Sequence, residues 1–192
     1  SDADLKLAFM TRAFPSRVRV LDISGDGLAD RMYAMDVGGQ MWRFDITNGQ
    51  NASNLVAGGV VARIGAEGLL TYGAADTRRY YAAHDVSMFM DEAQNKRYLA
   101  VSVGSGYRSH PLNSDAEDRF YSFRDPNVFT KLTQTQYDLY PIAYDDDFVE
   151  VSGKFDVVLN SGDRGWKFTL PPGEKVLAES QTFDDAVYFV SF

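Results

Sequence analysis

Nine residues near the start of the chain, Asp22-Ile-Ser-Gly-Asp-Gly-Leu-Ala-Asp30, hold the most chemically specific pattern in the sequence. Side-chain oxygens fall at loop positions 1, 3, 5 and 9, on Asp22, Ser24, Asp26 and Asp30, and Gly27 stands at position 6. A calcium loop needs a sharp turn at that sixth position, and calcium itself takes six to eight oxygen ligands. The backbone carbonyl of Leu28, at position 7, supplies a further oxygen, and water would complete the shell. Three carboxylates carry a charge of −3, which a bound Ca²⁺ reduces to −1. Without a cation, like charges crowded into so short a loop are expected to repel one another.

The loop departs from an EF-hand, which closes with a bidentate Glu at position 12 between two helices. Position 12 is Tyr33, and the flanks Arg17–Leu21 and Arg31–Met35 read as strands. The closing ligand is therefore expected to be Asp30, in a loop that joins two strands of a hairpin. Asp and Gly also favour turns for backbone reasons alone. A bare turn, however, needs one Asp-Gly pair rather than carboxylates at positions 1, 5 and 9.

Strands are expected along most of the chain. Short runs rich in Val, Tyr, Phe and Ile alternate with Gly, Asp and Asn. Val18–Leu21, Asp30–Asp36, Gln40–Asp45 and Val60–Ile64 give four strands, with the Gly38-Gly39 pair as a hairpin signal between the second and third. Four strands in about 50 residues is the content of one propeller blade. A second set is Tyr80–Met90, Tyr98–Gly104 and Phe120–Arg124. A third is Phe155–Leu159, Trp166–Leu170, Val176–Phe183 and Val187–Phe192. The stretch from Asp125 to Glu150 lacks a clear period and reads as a long loop, or a short helix plus loop. One internal echo supports a repeat: Asp30-Arg31-Met32-Tyr33 returns 88 residues later as Asp118-Arg119-Phe120-Tyr121. The expected class is all-β, part of a β-propeller, with a β-sandwich as the structural alternative.

The chain has 192 residues, 45% hydrophobic, enough for one domain with a sizeable core. Its net charge of −8 and pI near 4.7 argue against a nucleic-acid surface. The absence of cysteine excludes a disulfide scaffold and a thiolate zinc site. No apolar run approaches the length needed to span a bilayer. The sequence starts at Ser1, without a signal peptide or an initiating Met, and stops on the apolar run Ala186–Phe192. The expectation is that residues 1–192 are a piece excised from a longer protein.

Other candidate chemistry is weaker. His84 and His110 lie in no metal-ligand pattern such as H-E-x-x-H and read as polar strand or loop residues. Gly104-Ser-Gly-Tyr-Arg108 lacks the third glycine of a dinucleotide loop, since Ser109 stands there, and precedes no clear helix. No serine sits in a G-x-S-x-G elbow. Asp145-Asp146-Asp147 has the composition for a second cation but reads more simply as a solvated acidic loop. Trp42 and Trp166 read as packing residues. No carboxylate pair stands out for acid–base work.

The run from Val20 to Asp45 resembles the C-terminal propeller of the PilC/PilY family, type IV pilus biogenesis factors and tip-associated adhesins. That family joins a D-x-(D/N/S)-x-D-G-x-x-D loop to Y-x-x-D-x-x-G-x-x-W-R-x-D, here Tyr33, Asp36, Gly39, Trp42, Arg43 and Asp45. Val103-Gly-Ser-Gly-Tyr-Arg-Ser-His-Pro111, Asp118–Asp125 and Gly165–Leu177 are similar to later family segments, in the same order. The resemblance covers about residues 17 to 192. It implies a seven-bladed C-terminal propeller of which residues 1–192 are only a part. It also implies a location at the cell surface or pilus tip (the fimbrium), extracellular and associated with the outer membrane. By the same resemblance the ligands of the bound Ca²⁺ are Asp22, Ser24, Asp26, the Leu28 carbonyl and Asp30, and calcium occupancy antagonises pilus retraction. Ser24 stands where the family often has Asp or Asn, which removes one possible negative ligand. The letters of an Arg-Gly-Asp site occur only scrambled, as Asp163-Arg164-Gly165, so no integrin-type binding is carried over.

The favoured expectation is a non-enzymatic, calcium-binding module in pilus extension and retraction, twitching motility, surface adhesion and virulence. Its partners would be pilins and minor pilins and a host or abiotic surface. The alternatives are a quinoprotein-type propeller enzyme, whose calcium would help hold the cofactor, and a generic secreted β domain with a structural calcium turn.

Overall fold

The structure is a computed structural model that describes residues 4–92, 94–152 and 157–192. Its strands are β1 Arg19–Leu21, β2 Arg31–Met35, β3 Gln40–Ile46, β4 Val56–Arg63, β5 Asp85–Asp91, β6 Lys96–Gly104, β7 Arg119–Asp125, β8 Ala143–Tyr144, β9 Val149–Glu150, β10 Gly165–Thr169, β11 Gln181–Phe183 and β12 Ala186–Tyr188. Two short helices accompany them, α1 Ala52–Leu55 and α2 Gln134–Asp138.

The first sheet runs β1-β2-β3-β4-β8 and the second β5-β6-β7-β10-β9. In each, the first four strands are antiparallel and the fifth adds a two-residue parallel edge. Four antiparallel strands in neighbour order is the layout of a propeller blade. The described residues form two such sheets and a β11–β12 hairpin, and no closed ring.

Period-2 alternation explains how the sheets stack. Tyr33 and Met35 of β2 face a shared core with Leu99, Val101 and Val103 of β6 and Tyr121 and Phe123 of β7. Ala34, Trp42 and Val60 line the opposite face of the first sheet, against Leu7 and Phe14 of the N-terminal segment. Phe120, one residue from Tyr121, lies on the outer face of the second sheet beneath Val176, Val187 and Phe189. A two-layer sandwich would leave those outer faces wet. Here Trp42 is 1% exposed and Phe120 is fully buried, so each sheet is covered on both sides. Near-continuous burial of β3 and β7 follows from that double cover.

Several expected elements shift. The strand over 166–170 does not belong to a third set; β10 supplies the fourth strand of the second sheet by pairing with β7, Trp166 opposite Ser122. Tyr80–His84 is irregular, and β5 begins at Asp85. Of Phe155–Leu159, residues 155 and 156 lie outside the described residues, and 157–159 form no strand. Val176–Phe183 and Val187–Phe192 shrink to the β11–β12 hairpin and a bridge from Val176 to Ser191. The sequence echo also falls on unlike places. Asp30–Tyr33 leads into the second strand of its sheet, whereas Asp118–Tyr121 leads into the third. The structurally matching residues are Asp45 and Asp125, which end or nearly end the third strand of each sheet.

The stretch from Asp125 to Glu150 is neither wholly loop nor surface. It holds α2, β8, a 3-10 turn at Asp145–Asp147 and β9. Its Val128, Tyr137, Ala143 and Phe148 complete the shared core between the sheets.

Candidate metal centre

The loop from Asp22 to Asp30 joins β1, at one edge of the first sheet, to its neighbour β2. Its ends are fixed by the ladder: the Asp30 amide donates to the Leu21 carbonyl at 2.8 Å, and the Asp30 carbonyl accepts from Ile46 at 2.8 Å. Gly25 and Gly27 both have positive φ, 78° and 85°. Gly27 thus makes the left-handed turn expected at loop position 6, a conformation side chains resist.

The five expected residues form one hydrogen-bonded loop. Asp22 Oδ1 accepts from the Gly25 amide at 2.6 Å and the Asp26 amide at 3.2 Å, and its Oδ2 from Gly27 at 2.8 Å. The Ser24 hydroxyl lies 3.4 Å from Asp22 Oδ1. Asp26 Oδ1 accepts from the Leu28 amide at 2.8 Å. Asp30, the one buried member, accepts from the amides of Ile23 and Ser24 through Oδ2, at 2.9 and 2.7 Å. The expected repulsion among bare carboxylates is therefore not what governs the loop: backbone amides hold all three. Among the described residues, no three His, Cys, Asp or Glu side chains converge as a metal-binding group.

Asp30 has a partner that local spacing does not reveal. Lys131 Nζ donates to its Oδ1 at 2.6 Å, from 101 residues away in the chain. That hydrogen bond, with the Ser24 amide, holds the Asp30 carboxyl well below the usual carboxylate range. The neighbours of Lys131 are anchored too. The Thr130 carbonyl accepts from Arg31 Nη2 at 2.9 Å and Arg43 Nη2 at 2.8 Å, and the Leu132 amide donates to Asp45 Oδ2 at 2.8 Å.

These contacts belong to a buried charge network. Arg31 Nε donates to Asp45 Oδ1 at 2.7 Å, and Arg43 reaches both Asp45 and Asp125. The hydroxyls of Tyr33 and Tyr137 donate to Asp125 and Asp45. Two guanidinium groups and two carboxylates balance in charge, which is the condition for burying them. The residues of the Tyr…Trp-Arg-Phe-Asp pattern thus serve construction. Tyr33, Arg43 and Asp45 join the network, while Asp36 accepts from Trp42 Nε1 at 3.2 Å and from the Gly38 and Gln40 amides at 3.0 Å.

By donor type the loop suits a hard divalent cation, with three carboxylates, a hydroxyl and an exposed turn at Leu28 beside a left-handed glycine, while its carboxylates are turned to backbone amides and Lys131 rather than converged on one point. Asp145 does not fit one. Burial alone would raise its carboxyl, but hydrogen bonds from Arg119, Lys167 and Tyr121 outweigh that and hold it low. Three cationic side chains lie around it, Arg78 being the third at 4.0 Å, so Asp145 is a half-buried ion-pair centre, while Asp146 and Asp147 are exposed, as expected of a solvated acidic loop. Asp147 caps the Tyr144 amide at 2.7 Å. His84 is buried, with Nε2 donating to the Tyr33 carbonyl at 3.0 Å, and His110 packs edge-on against Tyr107 in an exposed loop.

The sequence matches no protein-family model and no curated protein. The fold does have a solved counterpart. It is similar to the crystal structure of the Pseudomonas aeruginosa PilY1 C-terminal domain, with a TM-score of 0.63 and 15% identity. The likeness covers 91% of this chain and 43% of that one, so the chain spans less than half the length of the PilY1 structure. At this identity the likeness establishes a PilY1-like β fold.

Proposed function

We propose that this chain is a non-enzymatic, calcium-binding β module from the C-terminal propeller of a type IV pilus tip-associated adhesin and biogenesis factor. The observation that carries the reading is the PilY1-like fold around a loop whose donor set suits calcium. The sequence resemblance to the PilC/PilY family supports it independently, because it rests on motifs spread from about residue 17 to the C-terminus. No helix among the described residues is long and apolar enough to cross a membrane.

In this reading Asp22, Ser24, Asp26, the Leu28 carbonyl and Asp30 hold the cation. A bound Ca²⁺ supplies two positive charges that offset three carboxylates and tie the loop's ends together. The protein's own part is positional. β1 and β2 fix the loop ends, Gly27 turns the chain back, and the network around Arg31 and Asp45 holds the strand that carries Asp30. The cell-surface location and a role in pilus extension, retraction and adhesion follow the family resemblance.

The test has two arms. Titration calorimetry of the isolated chain is expected to show one calcium site, with magnesium competing poorly because it demands tight octahedral geometry. In cells, Asp26→Ala in the full-length protein is expected to disturb pilus extension or twitching. No heat at millimolar calcium would remove the metal from the reading. Normal twitching in a variant shown not to bind calcium would leave the loop a structural staple.

A further inference from the structure

We propose that Lys131 is a built-in competitor for the cation at Asp30, and that divalent-cation binding releases its ammonium group to solvent. This rests on the calcium reading above and deepens it.

The argument starts from the oxygens of Asp30. Oδ1 receives Lys131 Nζ at 2.6 Å, and Oδ2 receives two backbone amides at 2.9 and 2.7 Å. A closing carboxylate in a calcium loop offers both oxygens to the ion. The ammonium occupies one of them, and a divalent ion sharing that oxygen with a lysine would repel it at close range. The two cations therefore exclude each other.

The surroundings decide what moves. Thr130 and Leu132, on either side of Lys131, are held by hydrogen bonds to Arg31, Arg43 and Asp45 inside the buried network. The backbone at 130–132 is thereby anchored to the first sheet. The Lys131 side chain is 35% exposed, whereas Asp30 is 5% exposed. A flexible four-carbon stem can carry its charge into water at low cost, while the carboxylate has nowhere to go. The exchange is confined to one side chain: a monovalent internal cation leaves and a divalent one takes its oxygen. Lys131 thereby sets how much calcium the loop requires before it fills, and nothing in the loop's own spacing encodes that threshold.

Amine labelling read by mass spectrometry tests the release directly. Held against a carboxylate, Lys131 is expected to acylate slowly without calcium and several-fold faster with it. Exposed Lys6 and Lys96 serve as unchanged controls. Calorimetry supplies the second readout. Lys131→Met is expected to bind calcium about fivefold more tightly, the scale of losing a partly exposed ion pair. Lys131→Arg keeps the charge and is expected to bind no more tightly than the wild type. An unchanged Lys131 labelling rate in a protein that binds calcium overturns the proposal and leaves the calcium site standing. Equal affinity in Lys131→Met and wild type overturns it as well. Absence of binding in both the wild type and Lys131→Met defeats the calcium reading itself.

Discussion

Arg43 and Asp125 face each other across the interface between the two sheets, with Nη1 of the arginine donating to both carboxylate oxygens at 2.9 and 2.8 Å. Neither residue is exposed to solvent, and they lie on the third strands of different sheets. The pair is the part of the buried network around Arg31 and Asp45 that crosses from one sheet to the other. It fixes how one sheet sits on the other, because a guanidinium keeps its hydrogen bonds in one geometry only.

Removing one partner of that pair is expected to be costly. Asp125→Ala leaves the Arg43 charge buried and the Tyr33 hydroxyl without its acceptor. A loss of about 3–5 kcal/mol is expected, read as a shift in urea midpoint. The double change Arg43→Met with Asp125→Leu is expected to cost less than the two single changes added together, since it leaves no orphaned charge between them. Strict additivity would show that the pair is not coupled.

The loop variants are expected to separate binding from stability. Asp26→Ala removes an exposed carboxylate that, among the described residues, accepts a hydrogen bond only from the Leu28 amide, so it is expected to abolish calcium binding and leave the apo melting temperature nearly unchanged. Asp30→Ala is expected to abolish binding and also lower the apo melting temperature, because Lys131 and the amides of Ile23 and Ser24 lose their acceptor. Asp147→Ala is expected to bind calcium like the wild type. In the wild type, calcium at a hundredfold excess over Kd is expected to add about 2.7 kcal/mol. Thermal denaturation with and without calcium reads all four.

Acid sensitivity is expected to begin with His84. Burial lowers it to about 4, with its hydrogen bond to the Tyr33 carbonyl opposing the shift, Arg19 adding to it and Asp85 opposing it. In the unfolded chain its value is near 6.5. Between these limits the unfolded state binds the extra proton. Stability is therefore full above about pH 6.5 and falls as the pH drops toward 4, by about 2 kcal/mol at pH 5. His84→Gln, which can still donate to Tyr33, is expected to flatten that slope in urea titrations between pH 7 and 5. The depressed carboxyl of Asp145 contributes in the same direction, but only below the ordinary carboxylate range.

Gly39→Ala is expected to destabilise the fold by about 2 kcal/mol or more. Gly39 has φ of +96°, and a Cβ there would lie 2.5 Å from the Gly65 backbone nitrogen. Both the left-handed backbone and the close strand approach oppose any side chain. A melting temperature equal to that of the wild type would show that the 36–40 turn relaxes freely.

The sequence by itself determined what is local. Runs rich in Val, Tyr, Phe and Ile gave the four antiparallel strands of the first sheet but not its short parallel edge β8, and the Gly38-Gly39 pair gave its central hairpin, because pleat and turn chemistry act over a few neighbouring residues. The Asp22–Asp30 spacing likewise gave a loop with its left-handed glycine in the right place. What acts across long separations was decided by the tertiary structure alone. Strand β10 joins β7 from 40 residues downstream, as backbone pairing between distant strands leaves no local period to read. Lys131 reaches Asp30, and Asp125 reaches Arg43, from segments that look like ordinary polar loop or strand end in the sequence. Asp145 reads as solvated by composition, yet it is claimed by Arg119 and Lys167 once the sheets stack. A charge's partner depends on which surfaces meet, and burial then makes the choice strict, since an ion taken out of water must be matched.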